Sequence, residues 1–197
     1  MTPPALLPYL ATAFVYAAFG TAAVAAVLRA LGRRVDGPPM LTVFLALFFL
    51  ALTQHPLPAR ATLDCTDGGV ASILKPFATF DHVGRLWRYW RNVPGIGVTA
   101  FATSRVIQAA VMNLVLCAAI GAAYARHAGG RWAWVKAFGL GATLSGGAEL
   151  AQLTGLFGLY PCPWRTFEVD DLIFNIAGVM GGFALIRGGR AAESGAK

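Results

Sequence analysis

The chain has 197 residues, of which 57% are hydrophobic and 13% charged, with a formal net charge of +7 and a positive mean hydropathy. A soluble domain usually carries roughly 25% charged residues, so this composition points to a lipid solvent and argues against an ordinary soluble enzyme. Nucleic acid is excluded as a partner as well, because the basic residues stand in short clusters between apolar runs and form no continuous stripe.

A membrane-spanning helix needs about 20 apolar residues. The first such run, Leu6 to Leu28, has neither the charged leader nor the small-residue cleavage site of a secretory signal, so it is expected to be a retained span. Pro38 and Pro39 precede a shorter run, Met40 to Thr53, and Pro56 and Pro58 follow it. A long segment from His55 to Ser104 comes next. Val106 to Ala125 and Trp132 to Leu153 are full-length spans separated by Gly129 and Gly130, and Leu172 to Ile186 is a second short one. The two short runs would cross only a thin or deformed bilayer unless flanking residues snorkel. The pattern predicts an all-α protein: one membrane domain over residues 1–197, built from about five transmembrane helices with a long extracytoplasmic loop.

Lys and Arg in short loops mark the cytoplasmic side. Arg29, Arg33 and Arg34, then Arg126, Arg131 and Lys136, then Arg187, Arg190 and Lys197 all fall on one side of a five-span chain. The N-terminus is therefore expected outside and the C-terminus in the cytoplasm. The long outer segment carries Arg60, Lys75, Arg85, Arg88 and Arg91, but dilutes them over its length and balances them with Asp64, Asp67 and Asp81. Within it Leu86, Trp87, Tyr89 and Trp90 alternate with the arginines, a stretch suited to the headgroup layer. It is either an anchoring belt or a surface for anionic lipid or a phosphorylated substrate. Cys65 and Cys162 fall in outer loops and Cys117 within a span. The outer pair is a disulfide candidate in an oxidising compartment, with two free thiols as the alternative.

An ionisable side chain at the centre of a spanning helix costs about 2.5 to 3.5 kcal/mol on insertion scales, so each asks for a reason. Glu149 is the clear case, with Ser145 one turn before it and Gln152 three residues after, all on one helical face. The following turn supplies Arg165, Glu168, Asp170 and Asp171, and Asn175 lies one turn beyond Asp171. Asp170 or Asp171 could cap the last helix. At about 1.5 Å per residue, Glu149, Gln152 and Asn175 reach similar depth on antiparallel neighbours, and Gln108 and Asn113 of the third span are expected near them. Two small-residue stripes, Gly139 with Thr143 and Gly147, and Gly178 with Gly182, are expected to pack helices closely.

These residues carry a resemblance. Ser145, Glu149 and Gln152, the string RTFEVDDLIFN from Arg165 to Asn175, and then Gly178 and Gly182 are similar to the carboxyl-terminal signature of the VanZ-like membrane proteins. LKPFATF, Leu74 to Phe80, resembles the family's proline and phenylalanine motif, and Asn113 to Gly121 its Asn and Gly helix, although Ala119 stands where the family usually has a proline. The resemblance covers roughly residues 70 to 185. It implies a multi-pass protein of the bacterial cytoplasmic membrane and cell envelope, associated with antibiotic resistance in the form of teicoplanin tolerance, and it brings no chemical mechanism.

Three readings of the polar cluster stand. In the first, Glu149, Gln152, Arg165, Asp170, Asp171, Asn175 and Asn113 bind a ligand: membrane lipids, a cell-wall precursor or a lipoglycopeptide, with Arg165 gripping a phosphate or carboxylate. In the second, Glu149 is a general acid or base, and Asp170 and Asp171 hold a metal or activate water. There is no serine or cysteine nucleophile motif, HExxH or phosphate-cradling loop; His55, His82 and His127 are scattered, and neither a cofactor nor a resident metal site is expected. In the third, the cluster is a structural clasp between the last two helices. Transport is disfavoured, because no inverted repeat and no polar path through the bundle can be found.

Overall fold

A computed structural model of the chain describes residues 3–54, 65, 72–94, 97–163 and 165–195, with the side chains of 3–6 and 191–195 excepted. His55, Pro56, Pro58, Arg60, Asp64, Asp67 and Lys197, on which expectations were placed, lie outside the described residues. Five long helices form the bundle: α1 Pro3–Ala30, α2 Gly37–Gln54, α5 Arg105–Ala125, α6 Ala133–Leu153 and α8 Val169–Gly195. Three short ones, α3 Ala78–Trp90, α4 Gly97–Ala102 and α7 Gly155–Gly158, lie in the connections.

Four of the long helices, α1, α2, α5 and α8, are long and apolar enough to cross a membrane. The fifth, α6, equals α5 in length at 21 residues, but Lys136, Ser145, Glu149, Gln152 and its glycines lower its hydropathy. The two runs expected to be short are longer than their apolar cores suggested. Pro38 and Pro39 sit inside the first turn of α2, where a missing N–H costs nothing, so this helix reaches 18 residues. The last helix begins at Val169 with Asp170 and Asp171 in its first turn, where carboxylates favour the positive end of the helix dipole. Its apolar stretch runs to Arg190, 22 residues in all.

Contacts run in sequence order between α5 and α8, so these two helices are parallel, whereas α6 runs antiparallel to α8. Backbone sets the α5–α8 spacing. A Cβ on Gly178 would stand 2.6 Å from the Leu114 carbonyl oxygen, one on Gly182 would strike the Ala118 carbonyl, and one on Gly121 the Val179 carbonyl. On the α6 side Gly141 does similar service, with a Cβ there 3.3 Å from Ile176 Cα. The second expected stripe thus packs, and the first does not: Gly139 and Gly147 face open space and Thr143 is exposed. Gly141, two residues from Gly139 and so on the opposite side of the helix, is the position turned toward α8. Phe49, Cys117, Ile120, Ala148 and Val179 form the core at mid-height.

One end of the bundle is basic. Arg190 donates to the Ala125 and Arg126 carbonyls at 3.0 and 3.4 Å, a cation on the unsatisfied carbonyls that close α5. Beside it His127 meets Thr42 Oγ1 at 3.0 Å, and burial holds the imidazole's proton affinity below its ordinary value.

The α5–α8 contact yields an expected outcome. Replacing Gly182 with Ala drives a methyl group into backbone that cannot yield as a side chain would, and destabilises the protein by about 1 to 3 kcal/mol, whereas Gly139→Ala changes it by less than about 0.5 kcal/mol. Thermal unfolding of both variants in the same detergent measures the difference.

Candidate functional site

At the other end, the C-terminal turns of α2 and α6 meet the N-terminal halves of α5 and α8. The close α5–α8 approach brings Asn113 Nδ2 to 3.1 Å from Asp171 Oδ1 and Cys117 Sγ to 3.4 Å from Asn175 Oδ1. From α6, Ser145 Oγ accepts from Asn175 Nδ2 at 3.0 Å and donates to the Asp171 carbonyl at 3.4 Å. Asn175 and Glu149 are only 2% and 3% exposed, so these bonds replace water that neither group can reach. Oε2 of Glu149 accepts the backbone N–H of Glu168 at 3.0 Å. Gln152 Nε2 donates to the Thr53 carbonyl at 3.1 Å, and the Arg165 guanidinium donates to the same oxygen. That oxygen closes α2, where a helix leaves its carbonyls without partners.

Asp170 does something else. It caps neither its own helix nor faces its neighbour Asp171; its Oδ1 and Oδ2 accept the backbone N–H groups of Phe77 and Thr79 at 2.5 and 2.6 Å. A carboxylate of α8 therefore caps the N-terminus of α3, about ninety residues earlier in the chain. Phe77 takes φ 62°, a left-handed conformation that costs a non-glycine residue roughly 1 to 2 kcal/mol and is held by that cap. Ile73 pairs with the strand-like approach to α8, its N–H donating to Phe167 O at 2.7 Å and its carbonyl accepting from Val169 N–H at 3.2 Å. The LKPF segment and the signature before α8 are thus one folded unit. Cys65 and Cys162 are joined in a disulfide with Cα atoms 5.8 Å apart, tying the segment before α3 to the α6–α8 connection. That connection opens with α7, whose four residues all take positive φ; Thr154 Oγ1 accepts from Phe157 N–H.

The polar groups surround a pocket of about 60 Å³. Glu149, Gln152, Asp171, Asn175, Asn113 and Arg165 line it, and Leu52, Ala109, Met112 and Leu116 form an apolar wall from α2 and α5. Exposed Arg165 and Met112 mark its mouth. Of the residues singled out in the sequence, six line the pocket and Ser145 and Glu168 are bonded to them; Asp170 serves α3 instead, and Gln108 is exposed and points elsewhere. Arg165 makes no ion pair with Glu149 or Asp171 among the described residues, because its guanidinium is spent partly on Thr53. Reasoning from side chains missed the Thr53 carbonyl and the Glu168 N–H, which have no side-chain signal. Cys117, one turn after Asn113 on the same face of α5, did have one.

The chemistry available here is hydrogen bonding and charge. Ser145 is engaged with an amide and a carbonyl rather than a base, and the described residues hold no group of three His, Cys, Asp or Glu side chains fit for a metal. Burial, followed by the charges of Asp171 and Asp170, raises the proton affinity of Glu168 above the ordinary Glu range, against a smaller opposite effect of Arg165.

A helical membrane bundle with a pocket of mixed polar and apolar lining at one end is the class that fold and site define. The model of the VanZ/LLP1 family matches residues 41–190, from within α2 to within α8, and the chain belongs to that family. No curated protein and no solved structure matches it.

Two outcomes follow from the site's geometry. Asp170→Ala frees the N-terminus of α3 and costs about 1 to 2 kcal/mol locally; limited trypsin digestion at Arg85 and Arg88 becomes faster while the long helices stay protected. For Glu168, a folded-state pKa above the unfolded one means that the folded form holds the proton more tightly. Its contribution to stability is therefore greatest below the ordinary Glu range and is lost as the pH rises through the shifted value. Glu168→Gln removes that loss, so the variant is more stable than wild type at neutral pH and the two converge in acid, as denaturation followed across pH reads out.

Proposed function

We propose that this protein of the bacterial cytoplasmic membrane binds the polar head of an envelope amphiphile, a lipid or a cell-wall precursor, in the pocket between α5, α6 and α8, and that this binding underlies a role in tolerance to teicoplanin-type glycopeptides. The observation that carries the reading is the pocket's two-sided wall: charged and amide groups of α6, α8 and Arg165 face apolar Leu52, Met112 and Leu116. A head joined to a hydrocarbon chain presents the same division. Arg165 has five N–H donors, of which one serves Thr53, leaving a fork for a phosphate or carboxylate at the mouth.

The topology in this reading has five crossings, with α6 as the fifth because it is as long as α5 and packs in the bundle. Arg29, Arg33, Arg34, Arg126, Arg131, Lys136, Arg187 and Arg190 cluster at the end away from the pocket, which supports assigning that end to the cytoplasm. The disulfide at the pocket end fits an oxidising exterior. On the outer face α3 lays Trp87 and Tyr89 beside Arg85 and Arg88, a composition suited to the headgroup layer.

A clasp between helices is favoured by a separate observation, that Asn113, Glu149, Gln152, Asp171 and Asn175 each have an internal hydrogen-bond partner. Such bonds contribute about 0.6 kcal/mol each in membrane bundles. The readings part at Arg165, which is exposed and can be removed without emptying the core. Purified Arg165→Ala is expected to keep its folded yield and to lose co-purifying lipid and glycopeptide tolerance; equal lipid content in variant and wild type would defeat the binding reading.

A further inference from the structure

The charges around the pocket are ordered. Two carboxyls, Glu149 and Asp171, stand on its polar wall, and one guanidinium, Arg165, stands exposed at its mouth. Hydrogen bonds among the described residues engage Oε2 of Glu149 and Oδ1 of Asp171, one oxygen of each carboxyl. A simple anion attracted by Arg165 meets two carboxyls immediately beyond it. A simple cation drawn to the carboxyls leaves Arg165 unmatched. The complement of this arrangement is a molecule carrying both signs in sequence.

We infer that the pocket selects a zwitterionic head, with a primary ammonium hydrogen-bonded between Glu149 and Asp171 and the adjoining phosphate or carboxylate held by Arg165. This inference rests on the binding reading above and names the ligand class it takes. Size supports it. The cavity holds about 60 Å³ where one water needs about 10 to 15 Å³, so the space takes an ammonium with its short methylene arm. A quaternary ammonium is excluded on two grounds: it has no N–H to donate to a carboxylate, and it is normally held by a cage of aromatic faces. No described aromatic side chain lines this pocket. The amides of Asn113, Gln152 and Asn175 are already engaged with Asp171, Thr53 and Ser145, so Asn113 orients the Asp171 carboxyl and all three leave the ligand's charges to Glu149, Asp171 and Arg165.

An aminoethyl phosphate head can come from a zwitterionic phospholipid or from a free small molecule, and the experiment separates the two. The full chain is exchanged into detergent with phosphatidylethanolamine, phosphatidylcholine or phosphatidylglycerol, and bound lipid is counted by native mass spectrometry. A second arm offers soluble phosphoethanolamine. Hydrogen bonds to a charged group contribute about 1.5 to 3 kcal/mol, so ethanolamine lipid should be retained at least about tenfold over the other two. Glu149→Gln and Asp171→Asn, which keep shape and hydrogen bonding, should bring it down to the level of choline lipid. Should those variants fail to fold, the wild-type contrast between ethanolamine and its N-methylated counterpart decides alone. Retention of the ethanolamine lipid supports a lipid occupant, and binding of phosphoethanolamine without it supports a free one. Equal retention of ethanolamine and glycerol lipids, both lost in Arg165→Ala, would overturn the zwitterion while leaving the binding reading intact. If no probe's retention depends on Arg165, both fall.

Discussion

The contact between the backbones of α5 and α8 is the constraint on which the rest of the structure depends. Gly178, Gly182 and Gly121 let carbonyl oxygens of one helix lie where a side chain of the other would begin. In lipid there is no hydrophobic force between two apolar helices, so close packing of this kind is what holds them. Only at that separation can the short side chains of Asn113 and Cys117 reach Asp171 and Asn175. The glycines therefore line no wall of the pocket and yet are decisive for its width.

Around that pair the polar groups form one connected set. Ser145 links α6 to α8 twice, Glu149 receives the N–H that precedes α8, and Gln152 with Arg165 closes the C-terminal end of α2. A buried polar group without a partner is costly, and more so in a membrane. The network meets that demand for the amides while leaving carboxylate oxygens and most of a guanidinium for something else. A purely structural clasp has no need of an exposed arginine beside a lined cavity. In the proposed binding role stability and recognition draw on the same residues, with the amides serving mainly the first.

The segments that connect the long helices at the pocket end are tied to the same helix. Asp170 caps α3, Ile73 pairs beside Glu168, and the disulfide holds the connection that precedes α8. The amphipathic α3 is thus tied, through Asp170, to the helix whose next residue, Asp171, stands on the wall of the pocket. Two identical side chains side by side point to opposite tasks because consecutive residues of a helix lie about 100° apart around its axis.

Hydropathy alone established the membrane class, the approximate position of each long helix and the basic end, because lipid imposes length and polarity on every span regardless of how spans pack. Helical spacing placed Ser145, Glu149 and Gln152 on one face, and the string from Arg165 to Asn175 was enough to identify the family. Other features belonged to the tertiary structure. Which glycines face a neighbour turned on the rotation of α6, so Gly141 packs where Gly139 and Gly147 were expected to. The role of Asp170 turned on a helix some ninety residues away, and that of Thr53 on a backbone oxygen common to every residue type. Periodicity records which positions share a face, but the partner of that face, and the carbonyl or amide it offers, exists only once the helices have met.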